Sequence, residues 1–197
     1  MRNSRSDVVA AALHVLSEHG LEGCSMRRVA AELGVQPGAL YHHVPNKQTL
    51  LALMADEIVA DVAGRGGAGA GADGAVVADG AIDAAGAADL CRSLRDAMLR
   101  VRDGADVVAT ASAFRLGASR VEAELADLVG SAGARTLLLY TFGHAQSTQT
   151  HLQARSFGAL VGETGASGGS GVAGEDAAAL DASFDEGLAI ISTGLAA

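Results

Sequence analysis

Between residues 25 and 47 the chain reads SMRRVAAELGVQPGALYHHVPNK, a text that two short helices set at an angle accommodate well. Ser25 can cap a first helix whose inner face is Met26, Val29, Ala30 and Leu33, and Gly34 ends it. Pro37 suits the first position of a second helix, from Pro37 to His43, because proline has no amide hydrogen to leave unpaired there. Joined through Gly34-Val35-Gln36, the pair is a helix-turn-helix. The first helix sets the angle of the second, which is slim enough to enter a DNA major groove. Gly38 and Ala39 at its leading end permit close approach to base edges or thymine methyls, and Tyr41, His42, His43 and Lys47 supply donors to phosphates or bases. Arg27 is placed to contact backbone or guanine. The DNA-facing set is therefore Ser25, Arg27, Gln36, Gly38, Ala39, Tyr41, His42, His43 and Lys47. The competing reading is an ordinary helical hairpin inside a core, which would not spend a tyrosine, two histidines and a lysine on one short helix.

The flanking text is helical as well. Ser6 can cap a helix over residues 7–18 with Val8, Ala11, Ala12, Val15 and Leu16 on one face and Gly20 stopping it. Asn46 can cap another to Val62, with Leu50, Leu53, Met54 and Ile58 at helical spacing. Periodicity returns at Leu90, Leu94, Met98 and Val101, over Phe114–Leu128, over Arg135–Leu160, and over Glu175–Leu195. Alanine, the best helix former, supplies 42 of the 197 residues, and there is no tryptophan. That balance favours helices packed through small side chains over a β-sandwich. The predicted fold class is all-α: a three-helix head over 1–46 and a helical carboxy-terminal domain over 47–197. Glycine-rich stretches at 64–88 and 162–174 read as flexible connections.

Net charge is −9, yet residues 1–50 carry five basic against four acidic side chains and four of the six histidines. The amino-terminal end therefore tolerates an anionic partner, whereas the remainder repels one. Cys24 and Cys91 share no metal-ligand spacing and read as buried, reduced thiols of a cytoplasmic protein. The opening MRNSRSDVVAAALHVL resembles a signal peptide only superficially, because Asp7 and His14 interrupt it. An uncharged run from Thr136 to Ala154 holds His144, Gln146, Gln149, His151 and Gln153, which argues against a membrane span.

Other constellations are weaker. Gly69-Ala-Gly-Ala-Asp-Gly74 is a literal GxGxxG, but a helix rather than a strand precedes it, so it reads as linker. His144 and His151 lie seven apart on one helix, about 10 Å along its axis, too far to share a metal without another segment. No nucleophile elbow or Cys–His arrangement is apparent, and no cofactor or metal site is expected.

Taken together, these residues resemble the TetR family of bacterial repressors. The matching residues are Ala11-Ala12-Leu13, Gly20, Glu22-Gly23, Ser25-Met26-Arg27-Arg28-Val29-Ala30, Leu33-Gly34-Val35, Leu40-Tyr41-His42-His43-Val44 and Asn46-Lys47. Further on, Arg102-Asp103-Gly104-Ala105, Gly143-His144 and Gly187-Leu188 to Gly194-Leu195 look like the ligand-binding domain of the tetracycline repressors. The resemblance implies a homodimer reading double-stranded, palindromic operator DNA and a small molecule in each body that releases it, without membrane or cofactor. It also exposes departures. Val108 stands where the magnesium-binding histidine is expected, Ala111 at a threonine position, Leu90 and Leu94 at the drug-gripping Asn and Phe, and Leu152 at an acidic position. Valine and leucine cannot ligate a hard cation. The expected effector is thus apolar and unmetallated, lined by Leu90, Leu94, Met98, Val108, Ala111 and Phe114, with Glu124, His144, Gln149 and His151 as polar fixtures. The alternative is a helical small-molecule-binding protein or enzyme with a vestigial head.

Overall fold

The computed structural model describes residues 4–62, 82–114, 119–156 and 172–195. These form eight helices and, among the described residues, no strand: α1 (Arg5–Gly23), α2 (Met26–Glu32), α3 (Pro37–Leu40), α4 (Lys47–Ile58), α5 (Ala84–Leu99), α6 (Gly104–Ala113), α7 (Ser119–Ser156) and α8 (Val172–Leu195). The all-α expectation holds. The GxGxxG stretch lies outside the described residues.

Local chemistry sets the ends of the head helices. Ser4, not Ser6, caps α1: its hydroxyl accepts from the Asp7 amide at 3.2 Å, and the Asp7 carboxylate accepts from the Ser4 amide at 2.7 Å. This reciprocal pair satisfies two amides that a helix start otherwise leaves free. Gly20, at φ +68° and ψ 177°, breaks the helical geometry of α1 as expected, and a last short helical piece carries the element on to Gly23. Asn46 caps α4 as expected, its side-chain oxygen accepting from the Thr49 amide at 2.8 Å. Replacing Asn46 by alanine should cost about 1 kcal/mol, a melting-temperature loss of about 2–4 °C in a chain this size by scanning calorimetry.

Three expectations for the body change. Residues 84–88, read as linker, are the first turn of α5, because the Asp83 side chain accepts from the Gly86 amide at 2.8 Å and caps it. Helix α6 was not visible in the periodicity. Phe114 does not begin a helix but caps the end of α6, and its ring stands 57% exposed. The two helices expected over 114–128 and 135–160 follow each other within α7, and Gly130, at φ +75° and ψ 162°, breaks the helical geometry between them; only their outer bounds differ, at Ser119 and Ser156.

A single hydrophobic core runs through head and body. In the head it holds Val8, Ala12, Leu16, Val29, Leu40, Val44 and Leu50. Helix α4 packs on α1 and, more extensively, on α6, and its Met54, Ala55 and Ile58 carry the core across. The body core is built from α5, α6, α7 and α8 around Leu90, Leu94, Met98, Val108, Leu125, Leu137, Phe184 and Leu188.

Candidate functional site

The turn between α2 and α3 is fixed by backbone chemistry. Gly34 takes φ +66°, where residues with a Cβ are disfavoured. Its amide donates to Ala31 O and the Val35 amide to Ala30 O, both at 3.0 Å, which is a Schellman termination of α2. Met26, Val29 and Ala30 of α2, with Leu40 and Val44, point into the core. The opposite side is left to solvent: Ser25, Arg27, Gln36, Gly38, Ala39, Tyr41, His42 and Lys47 are exposed and His43 is half-buried. Helix α3 itself closes at Leu40, three residues before the expected end at His43, and continues as turns. Ser25 also works within the fold, accepting from the Arg28 amide at 3.3 Å. The side chains of Arg27, Gln36, Tyr41, His42 and Lys47 make no hydrogen bond among the described residues, so their polar ends remain available. A Cβ at Gly38 would meet nothing within 4 Å, so packing within the chain does not require a glycine there.

The head meets the body at the corner between α5 and α6. Arg102 Nη1 donates to the carbonyls of Ser17 and Glu18 at 3.0 and 3.1 Å. Asp103, the one non-glycine residue with positive φ among those described, accepts from the Leu21 amide at 2.7 Å through Oδ2. Its Oδ1 accepts from Gln153 Nε2 at 2.6 Å. Two further glutamines on the same face of α7 grip this corner. Gln149 donates to Val101 O at 2.8 Å and accepts from the Ala105 amide at 3.1 Å. Gln146 donates to Asp106 at 2.8 Å. The residues that made α7 too polar for a membrane are thus a ladder holding the head-to-body joint. Sequence reasoning missed this role; the signal was a glutamine every three or four residues, opposite an Arg-Asp-Gly corner.

The expected effector-lining set separates in space. Leu90, Leu94, Met98, Val108 and Ala111 are buried at 0–1% exposure within the packed core. Glu124 and His144 are half-buried, His151 is partly exposed, and Gln149 is committed to the corner. An open cavity of about 360 Å³ lies instead between α6 and α7, lined by Ala109, Ser112, Ala113, Glu122, Arg135, Leu138, Leu139, Phe142, Gly143 and Gln146. None of the expected residues lines it. Val108 and Ala111 occupy another face of the same helix. The apolar side chains at 90, 94, 108 and 111 also fail to fit a magnesium–tetracycline complex, which requires oxygen and imidazole donors.

Titratable groups in the body are shifted by burial. Burial pushes the Cys91 thiol up to about 11. His144 stacks at a tilt on Phe184, 4.9 Å between ring centres, with Nδ1 3.2 Å from the Thr148 hydroxyl. Burial pushes its imidazole below the ordinary value, and the Arg95 guanidinium pushes the same way against Asp181. The unfolded chain therefore binds this proton first, so stability falls as pH drops below about 6.5 and levels off once the folded form is also protonated. His144→Gln should flatten this part of the melting-temperature profile between about pH 7.5 and pH 5, while the other five histidines contribute equally to both proteins. Parallel profiles for the two proteins would contradict it.

No helix among the described residues is long and apolar enough to cross a membrane. Residues 8–54 match the family model for bacterial regulatory proteins of the tetR family. The class A tetracycline repressor from transposon 1721 of Escherichia coli is 31% identical over 209 aligned positions, covering 96% of this chain and 88% of that protein. The class D repressor of the same organism is 37% identical over 106 residues, a match that takes in 54% of this chain and somewhat less than half, 44%, of its relative. Among solved structures, Mycobacterium smegmatis BioQ superimposes with a TM-score of 0.78 at 30% identity over 98% of both chains. BioQ with its natural double-stranded DNA operator gives 0.70 at 29% identity over 99% of both. A head of matching sequence, a body matched along its length and closely superimposing solved neighbours lead to one conclusion: the chain belongs to the tetR family of bacterial regulatory proteins.

Proposed function

We propose that the protein acts as a homodimer on a two-fold symmetric operator, and that a small, mainly apolar effector in the body releases it. The observation that carries the DNA reading is the outward face of α2–α3. There Arg27, Gln36, Gly38, Ala39, Tyr41, His42, His43 and Lys47, with Ser25 at the edge, stand clear of a core that fixes their angle. Dimerisation is supported by large apolar side chains left exposed on α7 and α8: Leu139 at 64%, Leu152 at 42% and Ile190 at 67%. Two such faces bring together four antiparallel helices, a common dimer seam.

The α6–α7 cavity is the effector site of this reading. Its volume is that of a small-molecule pocket; Leu138, Leu139, Phe142, Ala109 and Ala113 give it apolar walls, and Ser112, Glu122, Arg135 and Gln146 are its polar fixtures. An effector wedged there separates α6 from α7 and strains the Gln146–Asp106 hydrogen bond. Because α6 begins at the corner held by Asp103 and packs on α4, its displacement is passed to α1 and the head.

Tyr41→Ala and Lys47→Ala test the DNA reading. Each should weaken operator binding at least about tenfold, and loss of Lys47 should also reduce the dependence of log K on log salt by roughly one. Elution as a dimer should be unchanged. Operator affinity equal to the parent's in both variants would contradict the assignment and favour a vestigial head.

A further inference from the structure

Of the 14 lysine and arginine side chains in the sequence, Lys47 is the single lysine. It stands at the first position of α4, on the outward side of the reading head. That position does not serve the helix, because a cation is disfavoured at the amino-terminal end of a helix dipole. Nor does it serve the fold: Lys47 is exposed, and its ammonium makes no hydrogen bond or ion pair among the described residues.

Lysine differs from arginine in one chemical respect that matters here. A guanidinium keeps its proton in a protein, whereas an ammonium can give its proton up and then takes acyl groups, which abolishes the charge. The stronger competing nucleophiles are shielded: Cys24 and Cys91 are 1% and 0% exposed, and burial pushes both thiols up. Lys47 also borders an open cleft of about 900 Å³, shared with His19, Glu22, Arg102 and Gln153, so there is room beside it for an acyl chain. Residues 1–50 carry five basic against four acidic side chains, so one acylation takes this end of the chain from +1 to zero.

We propose that Lys47 is an acylation site, and that its modification by a small acyl phosphate or acyl thioester releases the protein from operator DNA. The inference rests on the DNA reading of the α2–α3 face and is independent of the effector cavity. The neutral amine attacks the acyl carbon. An amide N–C bond forms as the C–O bond to phosphate, or the C–S bond to the thiol, breaks. The leaving group departs with the electron pair, and the amine's proton passes to water. A phosphate contact is lost with the charge, and no second lysine can take its place.

Acetyl phosphate and acetyl-coenzyme A are the two probes. Each is incubated with the full chain and with its K47R and K47Q variants, whose folds circular dichroism checks. Mass spectrometry maps the adducts, and gel retardation on DNA upstream of the coding region reads the affinity. At least one probe should place an acetyl group on Lys47, and which one does so identifies the donor class. The acetylated parent should bind at least about tenfold more weakly, with the dependence of log K on log salt reduced by roughly one. K47R, which keeps the charge, should bind much as the parent does and lose nothing on treatment, whereas K47Q should bind as weakly as the acetylated parent. Lys47 left unmodified by both probes, an acetylated protein that binds as tightly as the untreated one, or an equal loss in K47R would overturn the proposal and leave the DNA reading standing. An untreated parent that retards no site at any salt concentration would overturn both.

Discussion

Asp103→Ala should melt about 6–12 °C below the parent, the response to losing about 3 kcal/mol. Both carboxylate oxygens are occupied, one by the Leu21 amide of the head and one by Gln153 of α7, at 2.7 and 2.6 Å. Alanine removes both acceptors and leaves two donors facing each other at a partly buried joint. Hydrogen bonds to a charged group are worth about 1.5–3 kcal/mol each, and partial exposure places these near the lower end. The residue also sits at φ +55°, where alanine is strained and asparagine is tolerated. Asp103→Asn should therefore recover about half of the loss, since one acceptor and the backbone preference survive. A further consequence follows for the switch: with the joint loosened, operator binding should respond less to whatever ligand the body takes. An Asp103→Ala protein melting within about 2 °C of the parent would show that the corner does not tie head to body.

Gly187→Ala should be nearly as damaging, although it lies in a helix where alanine is intrinsically favoured by about 1 kcal/mol. A Cβ at this position would overlap the hydroxyl and ring of Tyr140 on α7. That hydroxyl donates to Phe184 O at 3.0 Å and Ser183 O at 3.2 Å, and the ring stacks on Phe184 at 5.4 Å with planes 5° apart. Evicting it forfeits a hydrogen bond and an aromatic contact, each worth about 1 kcal/mol. Overpacking adds about 1–3 kcal/mol, leaving a net loss of roughly 2–4 kcal/mol by urea unfolding. In a Tyr140→Ala background the steric part disappears, so Gly187→Ala should there cost little or even stabilise. An equal cost in both backgrounds would mean that Tyr140 is not the obstacle.

The same glycine shows how far the sequence could be read. Gly187 and Gly194 lie seven apart beside the apolar stripe of α8, a spacing that by itself predicts room for a neighbouring helix. At Gly187 the neighbour is α7 of the same chain, whereas at Gly194 the space is open. Sequence spacing identifies a place of close approach but not which helix approaches. The reading head was legible in detail because its determinants are local: a capping serine, a stripe of four apolar residues, a left-handed glycine and a proline at a helix start. The difference of extent at α3, which closes at Leu40, reflects turns too tight for periodicity to separate from helix.

The body was less legible because its determinants are distant in sequence. Helix α6 is ten residues of mostly small or β-branched type that are buried along one face, so it lacks the long amphipathic pattern that marks α5. Its start is fixed by Gln149 and Gln153, more than forty residues away. The positions carried over from the tetracycline repressors, Leu90, Leu94, Val108 and Ala111, are apolar and buried. Being apolar, however, let them close into a packed core, and the open cavity formed on the next face of α6. Similarly, nothing in the arginine spacing at 92, 95, 100 and 102 distinguished the buried Arg95 from its exposed neighbours; only the packing of Phe184 and Asp181 from α8 does so.

The central claim is that an outward face on α2–α3, carried in duplicate by a dimer, reads one operator. Footprinting the purified protein on DNA upstream of its own coding region, at two or more salt concentrations, tests this most directly. The account predicts protection of a single inverted repeat whose half-sites lie about one helical turn apart. It also predicts an occupancy of one dimer and an affinity that falls steeply as salt rises. Equal retardation of every duplex, with no protected site at any salt concentration, would contradict it.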